Sequence, residues 1–266
     1  MSCLISCFYR VRDRLRREGI RRFAVRRFVK SVSQPYVSFS FDDFPSTAVE
    51  NGAPLLEKYG ARGTFFVSMG LLDTESPVGR IATIDQLRSL VRDGHEIGCH
   101  TYDHQDARFA DRAVFVRSLV ENRSAFRTAF PSLDLRVFAY PLDGPNLSIK
   151  LITGQRFLCC RGGEQTFNGR VMDLNLLNAF FLDWRSRDDP SLVEWVIDQS
   201  VAANGWLIFA CHDVAEEPSQ YGCMPNVFES VVRYVTKVGA RIRPIGEVCR
   251  ELGVGEEQRR KTIQEF

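Results

Sequence analysis

Between Val37 and Ile245 short apolar segments alternate with helical windows, and no Pro-, Gly- or Ser-rich linker interrupts them. This alternation constrains the fold more than any other feature of the chain. The apolar segments are VSFSF (37–41), GTFFV (63–67), HEIGCH (95–100), VFAYP (137–141), FLCC (157–160), NAFFLDW (178–184), WLIFACH (206–212) and RIRPI (241–245). Several are continuously apolar, which suits strands buried on both faces. Helices are expected at 83–94, where Thr83 is a natural N-cap and Gly94 a stop, and at 110–130, 189–203 and 225–238. Strand–helix alternation over two hundred residues implies parallel strands joined by right-handed crossovers. Seven or eight strands point to a closed or nearly closed barrel rather than an open sheet. In such a barrel the chemistry belongs at the C-terminal ends of the strands.

Hydrophobic residues make up 44% and charged residues 26% of the 266, the balance of a globular protein and not of a disordered or membrane-spanning one. The net charge of +2 hides an asymmetry. Residues 1–30 hold ten Arg or Lys against two acids, a balance of +8, so the other 236 residues carry about −6. Leu4, Phe8, Val11 and Leu15 recur there at helical spacing. A basic amphipathic helix resting on an anionic membrane surface or an acidic partner is one reading, and a solvated helix packed on the domain is the other. The arm lacks the apolar core of an export signal and no segment is long enough to span a bilayer, so a cytoplasmic location, or one at the inner membrane surface, is expected. No nucleic-acid-binding motif accompanies the basic arm, and no such partner is expected. Eight cysteines without a CxxC pair read as free thiols, not a zinc ribbon.

The expected strand exits are where the polar residues gather. Segment 37–41 runs into Asp42 and Asp43, two carboxylates whose repulsion needs a cation or a proton to resolve it. Segment 95–100 runs into His100-Thr101-Tyr102-Asp103-His104, and an i, i+4 histidine pair on one face of a helical turn has the spacing for divalent metal ligation. Two imidazoles and one carboxylate leave positions open for water and substrate. His212 ends the 206–212 segment and would face the same mouth. A histidine beyond the metal ligands suggests hydrolysis, with the extra imidazole protonating a leaving group. His95 sits at the opposite end of its strand and is expected to be structural.

The series SFDDFP, GTFFV, GHEIGCHTYDH, FAYPLDG, LDWRSRD and LIFACHD, in this order, resembles the polysaccharide deacetylase family, the NodB-homology domain of carbohydrate esterase family four. The resemblance covers about residues 35–253. It implies a distorted (β/α)7 barrel, with residues 1–34 as a basic helical arm and 254–266 as a polar tail. It further implies one divalent metal, zinc foremost with cobalt, manganese or iron as options, and removal of N- or O-acetyl groups from a carbohydrate such as a chito-oligosaccharide. Carried over position by position, Asp42 would be the general base and Asp43 would join His100 and His104 on the metal. His212 would be the general acid. A backbone N–H near the 140-YPLDG-144 turn would help stabilise the oxyanion, so Tyr140, Pro141 and Leu142 would touch substrate, and Trp184 would wall the acyl pocket.

Three positions depart from the family pattern. Phe44 stands where a glycine is usual, which would make the entrance beside the base more crowded. Ala139 replaces the arginine that normally pairs the base, and Leu142 replaces a tyrosine. Arg185 or Arg187, from the fourth motif, is the expected replacement partner of Asp42. The competing readings are a deacylase or deformylase of a lipid-linked sugar, for which the basic arm would provide membrane contact, and a sugar-binding module whose catalysis has decayed.

Overall fold

The computed structural model describes residues 19–20, 23–31, 33–142 and 144–255. Eight strands form the main sheet: β1 (Tyr36–Asp42), β2 (Thr64–Val67), β3 (Glu96–Cys99), β4 (Val137–Ala139), β5 (Cys159–Arg161), β6 (Phe180–Phe181), β7 (Trp206–Cys211) and β8 (Arg241–Ile242). Their order is β6-β7-β1-β2-β3-β4-β5, with β8 alongside the start of β1. Every pairing among them is parallel. Between β5 and β6 the barrel is completed by an irregular segment: Gly162 N donates to Leu177 O, Leu177 N to Cys160 O, and Glu164 N to Ala179 O. The expectation of a nearly closed, distorted barrel therefore holds.

Helices α1 (Ala53–Lys58), α2 (Ile84–Arg92), α3 (Arg112–Ala129), α4 (Leu147–Gly154), α5 (Pro190–Ala202), α6 (Pro225–Lys237) and α7 (Ile245–Glu251) complete the described fold. Thr83 caps α2 as its sequence requires: its side chain accepts from Gln86 N and Gln86 reaches back to Thr83 N. The short α1, α4 and α7 were not expected, because six to eight residues carry too little periodicity to read. The expected strand at 178–184 shrinks to Phe180–Phe181. Ser186 N and Arg187 N both donate to Asp183 O and turn the chain out of the sheet.

The strand period of two sorts the core into two clusters. Val37, Phe39, Phe41, Phe65, Val67, Ile97 and Phe209 face outward, onto Leu56, Leu87, Leu119, Val196 and Phe228 of the helices. Tyr36, Phe66, Val137, Ala139, Cys159, Trp206, Ile208 and Ala210 fill the interior. Trp206 Nε1 donates to Ser38 Oγ across the interior at 3.0 Å. Small interior residues beside large ones keep the barrel narrow: a Cβ on Gly98 would meet the Phe66 ring at 2.5 Å.

Part of the basic arm is built into the barrel. Arg27–Val29 pairs antiparallel with Val171–Asp173. Arg26 donates to the carbonyls of Gly154 (2.8 Å), Phe157 (3.1 Å) and Leu158, on the approach to β5. Lys30 is buried and donates to Gln34 O and Asn204 O. The segment expected as a helical arm thus contains a strand at 27–29, and these cations satisfy barrel carbonyls. The helical reading of residues 1–18 and the tail from 256 lie outside the described residues. Cys99, Cys159, Cys160, Cys211, Cys223 and Cys249 are buried free thiols. No described helix is long and apolar enough to cross a membrane.

Candidate active site

A cavity of about 530 Å³ opens at the C-terminal end of the sheet, lined by Asp42, Asp43, His100, His104, Arg161 and His212 together with apolar and aromatic residues. Strand periodicity explains four of these six. Counting by two from interior residues, Tyr36 leads to Asp42, Cys159 to Arg161, Ala210 to His212, and Gly98 to His100. The other two are redirected by backbone turns. Asp43 has φ 55° and His104 φ 55°, with Phe44 (23°), Thr101 (63°) and Leu142 (65°) also left-handed. Three of the seven positive-φ non-glycine residues described line this cavity, and Phe44 and Thr101 are each next in sequence to a lining residue, the clustering expected of strain held at a working site.

Asp43, His100 and His104 offer ligand atoms that all lie within 4.8 Å of one another. Asp43 Oδ1 is 3.8 Å from His100 Nε2 and 3.6 Å from His104 Nε2, beyond a good hydrogen bond to either. That oxygen is buried and has no hydrogen-bond partner. An orphaned carboxylate oxygen facing two imidazoles is the donor set of a divalent cation, so the residues fit the metal that the motifs imply. His100 Nδ1 donates to Ala139 O at 2.9 Å, which orients Nε2 into the cluster. Burial lowers the His100 pKa to about 4 against the pull of Asp42 and Asp43, so its imidazole is neutral and able to ligate at neutral pH. The expected helical turn joining the two histidines is absent. Residues 101–104 are irregular, and the left-handed Thr101 and His104 fold the pair together instead.

Asp42 is fully buried beside the Arg161 guanidinium, which donates to its Oδ1. Burial alone would push this carboxyl up, but Arg161, with His100 and His212, holds it below the usual carboxylate range. Neither expected partner occupies that place. Arg185 instead forks onto Asp183 at 3.0 Å and lies over the Phe181 ring at 4.8 Å, on the cavity wall. Arg187 Nη1 donates to Ser219 O and Gly222 O and is not among the lining residues. The missed signal is 157-FLCCRGG-163: extending that strand by one residue and counting by two puts Arg161 at an interior exit.

His212 Nδ1 donates to Tyr221 O at 3.3 Å, leaving Nε2 as the nitrogen without a backbone tie. The adjacent Asp213 carboxylate accepts from Ser219 N and Ser219 Oγ. Tyr140 lines the cavity, but its hydroxyl is tied to Thr153 and donates to Asn175 O. Leu142 lines the rim, whereas Pro141 and Trp184 are not among the lining residues. Phe44 does not crowd the entrance: it is buried edge-on against Phe65 in the outer core. His95 is structural as expected, its Nδ1 accepting from Gly63 N and its Nε2 facing Glu57.

The fold and site define a parallel α/β barrel with a carboxylate–imidazole centre at its C-terminal mouth. Residues 30–153 match the family model described as polysaccharide deacetylase. A curated relative, a bifunctional xylanase/deacetylase from Pseudobutyrivibrio xylanivorans, is 34% identical over 114 residues, which is 43% of this chain. The aligned stretch spans only 18% of that relative's length. Among solved structures, the Xyl-CE4 domain of a multidomain xylanase from the hindgut metagenome of Trinervitermes trinervoides aligns over 83% of this chain and 92% of its own, with TM-score 0.55 and 18% identity. A peptidoglycan deacetylase from Bacillus subtilis aligns over 87% and 97%, with TM-score 0.55 and 15% identity. A protein from Bacillus anthracis described as a CE4 family pseudoenzyme aligns over 81% and 66%, with TM-score 0.54 and 12% identity. At these identities the solved structures establish the fold.

Proposed function

We propose that the protein is a metal-dependent hydrolase that removes an N-acetyl, or O-acetyl, group from a carbohydrate. The observation that carries this reading is the division of labour between adjacent carboxylates. Asp43 presents an unpaired buried oxygen to His100 and His104, while Asp42 is held ionised by Arg161. A divalent cation, zinc foremost, held by Asp43, His100 and His104 would supply Lewis acidity, activating water and polarising the acyl carbonyl. Asp42, outside that ligand set, accepts the proton of the attacking water, and its low pKa keeps it free to do so near neutrality. His212 Nε2 gives a proton to the departing amine or alcohol, its ring held by the Tyr221 carbonyl. A backbone N–H in the turn after Tyr140 would assist the oxyanion. Arg185 and Phe181 line the wall on which the sugar would rest.

Elemental analysis of wild type and His104→Ala, paired with acetate release from a chito-oligosaccharide, tests this reading. About one metal per chain, lost together with acetate release in the variant, is the expected result. Bound metal without acetate release would redirect the search to formyl or lipid-linked substrates. A chain that binds no metal when zinc is supplied would leave only the decayed sugar-binding module.

A further inference from the structure

Away from the cavity, exposed apolar side chains gather around a buried ion pair on one side of the barrel. Lys150 of α4 binds Asp173 at 2.8 Å and donates to Ile20 O and Phe23 O at 2.7 Å. Asp173 also accepts from Val25 N at 3.2 Å and Arg26 N at 3.1 Å. These bonds fasten the 23–29 segment between α4 and the 171–173 strand. With the segment fixed, the strand period of two turns Arg26 and Phe28 toward the barrel and leaves Val25, Arg27 and Val29 exposed. Val29 stands opposite Val171 in the pairing, and the two are 49% and 50% exposed. Phe23 is 68% exposed. Leu147 and Leu151, neighbours one turn apart on α4, are exposed while Lys150 between them is buried. Each of these six side chains leaves apolar area in water that burial would stabilise, and the backbone that presents them is committed to barrel hydrogen bonds.

The charge around this patch has one sign. Arg27 and Arg170 lie beside the two valines, and Arg156 follows Gly154, whose carbonyl accepts from Arg26; all three arginines are exposed. Helix α4 contains no acidic residue, and the Asp173 carboxylate is neutralised by Lys150. Apolar side chains ringed by cations suit an anionic bilayer surface, where the side chains enter the acyl boundary and the cations stay among the headgroups. A cover supplied by residues 1–22 would instead bring seven arginines against Asp13 and Glu18, a balance of +5, onto cations of the same sign.

We propose that this face, built from the 23–29 and 171–173 segments and α4, docks the protein on an anionic lipid bilayer. The contact is interfacial, since no described helix is long and apolar enough to cross a membrane. Lys150 and Asp173 position the docking residues without touching lipid, because both are held beneath them by the bonds that fasten the segment. Docking is independent of the chemistry at the cavity mouth.

Sedimentation of the full chain with vesicles of equal parts phosphatidylglycerol and phosphatidylcholine, at about 0.1 M salt, tests the proposal. The wild type should pellet with these vesicles and stay in solution with phosphatidylcholine alone. The double variant Phe23→Ser, Leu151→Ser should bind at least about tenfold more weakly. The triple variant Arg27→Gln, Arg156→Gln, Arg170→Gln should lose about a hundredfold, near fivefold for each cation. All five substituted side chains are exposed, so both variants should melt close to the wild type. Hydrogen exchange at 23–29 and 147–152 should slow on the anionic vesicles, with α5 unchanged. Both variants keep residues 1–22, so binding that survives in both would assign it to that segment and overturn the proposal. A wild type that binds no vesicles, or binds neutral and anionic ones equally, would overturn it too. Patch-dependent binding of polyuridylate without vesicle binding would give the face to nucleic acid instead.

Discussion

The Arg161 guanidinium and the Asp42 carboxylate meet in a buried pair formed by the ends of two strands 119 residues apart in sequence. The pair joins β5 to β1 across the barrel mouth. Arg161 also lies 5.2 Å from the Phe66 ring centroid and 5.8 Å from that of Phe181, so the cation is walled by aromatic faces. A carboxylate this deeply buried stays ionised only while that cation is present.

Replacing Arg161 with Met should therefore cost about 3–5 kcal/mol of stability at neutral pH, because the buried Asp42 charge is left uncompensated. In the wild type the folded Asp42 pKa is lowered, so its contribution is present above the unfolded value of about 3.9 and is lost as pH falls through the folded value. In Arg161→Met, burial dominates and the shift reverses. Denaturant unfolding from pH 7 to pH 3 should show the gap between variant and wild type narrowing in acid; a constant gap would contradict the buried-pair account.

His100 makes a separate pH prediction. Its folded pKa of about 4 lies below the unfolded value of about 6.5, so the unfolded chain binds more protons between these limits. Stability of the metal-free protein should fall as pH drops through that window, by up to about 3 kcal/mol. In His100→Gln this slope should become shallower, as read from unfolding midpoints in the presence of a chelator, with buried His95, whose pKa is also lowered by desolvation, keeping part of it.

Phe44 occupies a position with φ 23° that favours glycine, yet its side chain is fully buried against Phe65. Removing the ring should cost about 3–5 kcal/mol and relieving the backbone should return about 1–3 kcal/mol. Phe44→Gly is therefore expected to lower stability by about 2 kcal/mol on balance. Because Phe44 does not line the cavity, acetate release well below the lowered melting temperature should change little.

The 23–30 segment should behave as part of the barrel domain. Arg26 donates to three carbonyls that precede β5, and the buried Lys150 binds Asp173 at 2.8 Å while donating to Ile20 O and Phe23 O at 2.7 Å. Arg26→Ala is expected to cost about 2–3 kcal/mol. A chain beginning at residue 35, the boundary read from the motifs, should melt well below the full chain; equal melting temperatures would show that the segment is dispensable.

Most of the strands, their parallel direction and the carboxylates and imidazoles at their exits were legible in the sequence, because burial shows in local periodicity and parallel pairing in the strand–helix alternation. A run such as VSFSFDD states both its burial and the residue at which it ends, and the spacing of His100 and His104 marks a metal pair in any backbone that brings them together. Three matters were decided only in three dimensions. Arg161 rather than Arg185 or Arg187 pairs Asp42, because charge pairing follows which interior exits face one another across the barrel, and strand order in space is not written in local pattern. Asp43 and His104 reach the cavity only because left-handed backbone turns override their expected directions, and that strain is sustained by surrounding packing. Trp184 lies off the cavity lining because the turn that presents it donates hydrogen bonds to a loop 35 residues further along, Arg187 to Gly222 O among them. The local pattern marked the carboxylates and imidazoles at the mouth of the barrel; long-range hydrogen bonds and buried charge decided which arginine joins them and which of these groups touch.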